Sequence, residues 1–169
     1  MAATMNFLEP PDSHHLSAAI GWVELGNWQE ANAELEKITL DSQGHPDVLE
    51  VRWQIYAKAE DWEEAIEAAR EMTRQTPDLP FGWIHLAYSL HELRRTQEAY
   101  ATLKPIFERF PDEWLMRYNM ACYACQLGNL GEARRLLELA GERGDKNEIV
   151  RMVRIDPDLE ALWSEFGKI

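Results

Sequence analysis

The chain has 169 residues, 46% of them apolar, with seven Trp and a formal net charge of −13. That acidity repels phosphate backbones and sets a nucleic-acid role aside. Two cysteines cannot build a disulfide framework, and no apolar run approaches the roughly 18 residues of a membrane span.

The charge is uneven. Residues 1–80 hold 5 Lys and Arg against 16 Asp and Glu, a balance of −11, whereas residues 81–169 hold 12 against 14, a balance of −2. Such a surface mainly supports solubility and also tunes encounter with basic partners. The N-terminus has neither a basic start nor an apolar segment of the secretory kind, so a cytoplasmic address is expected.

Residues 1–11 read as a leader without periodicity, open to disorder or to lying along the first helices, and Pro10-Pro11 stops a helix from running through it. From Asp12 a pattern begins that is organised around Ala31, Ala65, Ala99 and Ala133, each 34 residues after the last. Each closes a near-copy of one phrase, Leu25-Gly-Asn-Trp-Gln-Glu-Ala31 being the first and Leu127-Gly-Asn-Leu-Gly-Glu-Ala133 the last. A fixed period of that length marks a stacked array of helix–turn–helix units. Large or apolar side chains recur nine residues before each alanine (Trp22, Tyr56, Leu90, Ala124) and four after it (Leu35, Ala69, Leu103, Leu137). These spacings share one helical face. First helices are expected to end near Glu24, Lys58, Glu92 and Gln126, and second helices to start near Trp28, Trp62, Thr96 and Leu130. The small alanine lets two antiparallel helices approach closely beside their turn. Pro105 is expected to interrupt the third unit's second helix. Farther on, Asp145–Arg154 reads as a short helix, and Asp156-Pro157 as the start of another reaching Phe166.

These residues resemble the tetratricopeptide repeat family. Its pattern is matched by Trp83, Leu86, Tyr56, Gly26, Asn27, Gly128, Asn129, the four ladder alanines, Pro77 and Pro111, while Arg52-Trp53 replaces the usual Leu-Gly pair. The resemblance implies an all-α fold, a right-handed helical solenoid of four units at 12–45, 46–79, 80–113 and 114–147, closed by capping helices in 148–169. The run from Tyr118 to Gly128, followed by Asp156-Pro-Asp-Leu-Glu-Ala-Leu-Trp163, is similar to the closing module of bacterial members and implies a bacterial origin.

In such arrays the first helices line a concave groove. The helical period places Leu16, Ile20, Val51, Gln54, Phe81, Ile84, His85, Tyr88, His91, Tyr118, Asn119 and Cys122 on that face, with Phe81, Tyr88 and Tyr118 as aromatic anchors. The competing reading is that the leader or the C-terminal helix covers part of the face. The family's clamp for a peptide's terminal carboxylate is not expected. The corresponding positions are Leu16, Ile20, Val51, Phe81 and His85, which do not supply its cations and amides.

Cys122-Tyr-Ala-Cys125 lies mid-helix, where packing, a metal site completed by His85 and His91, and redox chemistry are all readings of the pair. His14-His15 reads as solvated surface. No phosphate-binding glycine loop, His-Glu-x-x-His or Gly-x-Ser-x-Gly run occurs, so no catalysis and no cofactor or metal is expected. The expected function is binding of a peptide or protein segment in the groove. A small acidic chaperone for a dedicated secretion substrate and a self-associating scaffold are the alternatives.

Overall fold

Four times the chain closes one helix and opens the next across a three-residue joint, and the joint positions repeat every 34 residues. The structure, a computed structural model, describes residues 7–166, so residues 1–6 of the expected leader lie outside it. The helices are α1 (Asp12–Glu24), α2 (Trp28–Leu35), α3 (Pro46–Lys58), α4 (Trp62–Gln75), α5 (Pro80–Glu92), α6 (Thr96–Leu103), α7 (Trp114–Gln126), α8 (Leu130–Gly141) and α9 (Lys146–Ile155). No strand occurs among the described residues. The chain forms two compact units, Met1–His85 and Leu86–Ile169, with the division inside α5.

Local chemistry sets the joints. At the first, Gly26 N–H donates to Val23 O at 3.0 Å and Asn27 N–H to Trp22 O at 2.9 Å, which satisfies the last carbonyls of α1. The same bond pair recurs from Glu60 and Asp61, from Arg94 and Arg95, and from Gly128 and Asn129. This geometry needs a left-handed residue at its centre. Accordingly φ is +75° at Gly26, +57° at Glu60, +62° at Arg94 and +80° at Gly128.

The next residue then caps the following helix. Asn27, Asp61 and Asn129 accept from the backbone N–H of Glu30, Glu64 and Glu132. Arg95 has no oxygen to offer there and instead holds Glu98 through two bonds of 2.8 and 2.7 Å.

Glycine adopts the left-handed conformation without the steric cost that Glu60 bears, against which stands its larger loss of backbone entropy on folding. Glu60→Gly is therefore expected to stabilise the fold by about 0.5–1 kcal/mol, read as a higher urea midpoint. A lower midpoint would contradict this account of the joint.

All four ladder alanines are fully buried, as are Leu35, Ala69 and Leu103 four residues later. In the first unit Leu16, Ala19, Ala31, Leu35, Ile38, Val48, Val51 and Ile55 form one core, with Leu8, Trp22, Val23 and Trp28 packed against it. Two side chains fasten the connection that follows α2. The Gln43 amide donates to the carbonyls of Leu35 and Ile38, and Asp12 accepts from both the N–H (2.9 Å) and the hydroxyl (2.6 Å) of Thr39. Hydrogen bonding from the Ser42 side chain, and then from Thr39, holds the Asp12 carboxyl below its ordinary value. His15, expected at the surface, is partly buried and bonds Glu34 at 2.9 Å. Arg52, one of the departures from the family pattern, donates to Gln43.

In the second unit α6 stops at Leu103, two residues before Pro105, whose missing N–H cannot continue a helix. After α9, residues Pro157–Leu162 form a 3-10 turn rather than the α-helix expected to reach Phe166. The Trp163 indole N–H donates back to the Asp156 carbonyl at 3.1 Å, drawing the segment into a tight wrap. Leu159 and Leu162 of this turn are fully buried.

Candidate peptide-binding face

In the first unit the candidate face is carried by α1, α3 and the start of α5. Leu16, Val51 and Ile84 are core residues rather than open surface, only 8%, 4% and 3% exposed. Leu16 and Val51 belong to the core cluster of the first unit. Ile20 and Phe81, by contrast, are 42% and 53% exposed.

Between core and surface runs a polar chain. The Gln54 amide donates to Glu50 Oε1 at 2.9 Å, His85 Nε2–H donates to Glu50 Oε2 at 2.8 Å, and the His85 ring stacks on Trp53 at 3.7 Å between centroids. Trp53, the other departure from the family pattern, thus orients His85. Burial raises the Glu50 carboxyl, but its bond to His85 and that ring's charge outweigh burial and leave it below its ordinary value.

A carboxyl depressed in the folded state stabilises at pH values above its unfolded value and ceases to do so as pH falls through the folded one. Glu50→Gln should therefore lower the urea midpoint at pH 7, and the gap to the unsubstituted chain should close below the ordinary carboxylate range. A gap independent of pH would contradict the pairing.

In the second unit the candidate residues are mostly covered. Tyr88 is 37% exposed, and burial, followed by the Glu92 charge, pushes its phenol up to about 12. Asn119 is partly buried. Tyr118, Cys122 and His91 are buried, at 4%, 5% and 6% exposure, because the C-terminal segment lies on them.

The contacts are specific. The Tyr118 hydroxyl donates to Asp156 Oδ2 at 2.8 Å, and the Cys122 thiol reaches the same oxygen at 3.5 Å. His91 Nε2–H donates to Asp158 Oδ2 at 2.8 Å, and Nδ1 of the same ring is hydrogen-bonded to the Thr96 hydroxyl at 2.9 Å. The Gln126 amide donates to the Asp158 carbonyl at 2.9 Å. Of the two occupants weighed from sequence, the C-terminal segment is the one seated here. Asp156 and Asp158 make these covering contacts; the sequence marks Asp156 as a helix start and the Asp-Pro-Asp-Leu run as part of a closing module, but not what either carboxylate meets.

Cys122 and Cys125 are both buried free thiols. Burial, and then the charges of Asp156 and Asp158, push the Cys122 thiol well above its ordinary value, opposite to the shift that activates a redox cysteine. Among the described residues no three His, Cys, Asp or Glu side chains converge as metal ligands do. His85 and His91 are each engaged by a carboxylate. The Tyr123 hydroxyl, beneath His91, is buried without a hydrogen-bond partner.

Clefts open elsewhere. One of about 580 Å³ lies beside Phe7, Thr39, His45 and Gln75, and another of about 440 Å³ beside Arg52, Tyr56, Glu67 and Arg74. In the second unit a cleft of about 340 Å³ is lined by Leu137, Lys146, Ile149 and Phe166.

No protein-family description matches the chain in sequence, and no curated protein does. Solved structures do match. TTC0263, described as a thermophilic TPR protein in Thermus thermophilus, superposes with a TM-score of 0.73 at 18% identity over 93% of this chain and 84% of its own. The fold is a tetratricopeptide repeat fold. MamA MSR-1 gives a TM-score of 0.66 at 20% identity, covering 80% of this chain and 78% of that one. A MamA RS-1 double mutant gives 0.71 at 11% identity over 83% and 79%. Identities this low carry the tetratricopeptide fold alone.

Proposed function

We propose that this chain is a non-catalytic protein-interaction module that binds a peptide or protein segment on the face of its first helices, with the part of the expected groove that lies in the first unit as its site. The observation that carries this reading is the exposure of Ile20 and Phe81 on that face of the first unit, beside the polar chain of Gln54, Glu50 and His85. Two large apolar side chains left in water next to oriented hydrogen-bonding groups are what an interface needs, since anchors give affinity and polar groups give register. The tetratricopeptide fold supports the reading, because a stack of helix pairs presents long surfaces without needing a central core. The balance of −11 over residues 1–80 favours a partner segment of basic character.

The test is Ile20→Asp combined with Phe81→Asp, both at exposed positions where folding tolerates change. Partners recovered from native extract by the unsubstituted chain and quantified by mass spectrometry should be lost from the double variant, while its circular dichroism stays unchanged. Recovery of the same partners in the same amounts would reject this face.

A further inference from the structure

We propose that the second unit carries a receptor site for an acidic protein segment, which residues 156–162 of the same chain occupy in cis. The groups that meet this segment from α5 and α7 are hydrogen-bond donors: the Tyr118 hydroxyl, the Cys122 thiol, His91 Nε2–H and the Gln126 amide. Their targets are two carboxylates and one carbonyl, on Asp156 and Asp158. In a chain of net charge −13 such a convergence of donors is selective for negative charge.

The segment is anchored as a bound peptide is, by polar contacts for register and by Leu159 and Leu162, both fully buried, for affinity. It is a 3-10 turn of six residues that leads straight out of α9 and is not part of a longer helix of its own. The ligand chemistry can therefore be read from the occupant: two carboxylates two residues apart, with leucines three and six residues after the first. A segment of another protein with that pattern would compete for the same donors. The cis segment would set the threshold, because its tether supplies a high effective concentration, on the order of millimolar. This site is separate from the interaction face of the first unit, and either can fail alone.

The experiment is anisotropy titration of the full chain with a fluorescent peptide copying residues 154–166. The unsubstituted chain should bind it weakly. A chain carrying Asp156→Asn and Asp158→Asn, whose own segment is loosened, should bind it at least tenfold more tightly, and a peptide bearing the same two substitutions should not bind. If the substituted chain gains no affinity while its circular dichroism is native, or binds both peptides equally, the proposal is overturned.

A second measurement needs no variant. Cys122 lies under the segment, so its alkylation, followed by mass spectrometry in the unsubstituted chain, should proceed through local opening, faster than global unfolding and insensitive to low urea. Alkylation only at the global unfolding rate would show that the segment never vacates the site, and would overturn the proposal as well.

Discussion

Ala65→Leu is expected to destabilise the folded chain by about 1–3 kcal/mol, the ordinary cost of forcing methylenes into a filled core. Ala65 is fully buried on α4, with Ile66, Ala69 and Met72 buried beside it, four residues past the Asp61 cap that follows the joint with α3. A leucine there has no cavity to enter, and the joint fixes both helices, so neither can move away without breaking the bonds from Glu60 to Ala57 and from Asp61 to Tyr56. Ala101→Leu is the control. Ala101 lies on α6 two residues past a ladder position and is exposed, so its change should stay within about 0.5 kcal/mol. Equal urea midpoints for the two variants would contradict the role given to the ladder.

Glycine-to-alanine substitutions should have opposite signs at two helical sites. A Cβ on Gly82 of α5 would sit 2.9 Å from Met72 Cβ, 3.0 Å from Thr73 N and 3.1 Å from Met72 C. Two of those atoms belong to the backbone of α4, which cannot swing aside as a side-chain tip would. Alanine's better helix propensity returns up to about 1 kcal/mol, less near a helix start, against an overpacking cost of about 1–3 kcal/mol. The clash wins, and Gly82→Ala should destabilise by about 1–2 kcal/mol. Gly21, in the middle of α1, has nothing within 4 Å of such a Cβ. There only propensity acts, and Gly21→Ala should stabilise by up to about 1 kcal/mol. Thermal unfolding of the two variants side by side reads both signs; a shift in the same direction would refute the packing of α5 on α4.

The repeat architecture was legible because its determinants are local. A joint needs a left-handed residue followed by a cap, and these recur at Gly26-Asn27 and Gly128-Asn129, so the helix ends at Glu24, Lys58, Glu92 and Gln126 follow from the period. The state of the candidate face was much less legible. Helical period assigns Tyr118 and Cys122 to the same side as Ile20 and Phe81, but it says nothing about what lies above them. The covering contacts join residues far apart in the chain, 38 positions for Tyr118 and Asp156 and 67 for His91 and Asp158. Nor could period separate Leu16 and Val51, which turn into the core, from Ile20, which stays at the surface. The 3-10 form of Pro157–Leu162, across which Trp163 bonds back to Asp156, escaped the capping signal, which marks only where a helix starts.

The most direct test of the interaction face is site-specific photo-crosslinking in native extract. A photoreactive side chain would be placed at Phe81, on the candidate face, and separately at Leu40, which is 90% exposed and lies off it on the 3-10 turn after α2. The face proposed here predicts a discrete protein adduct from position 81 that excess unlabelled chain competes away, and no competed adduct from position 40. Competed adducts from position 40 with none from position 81 would contradict it.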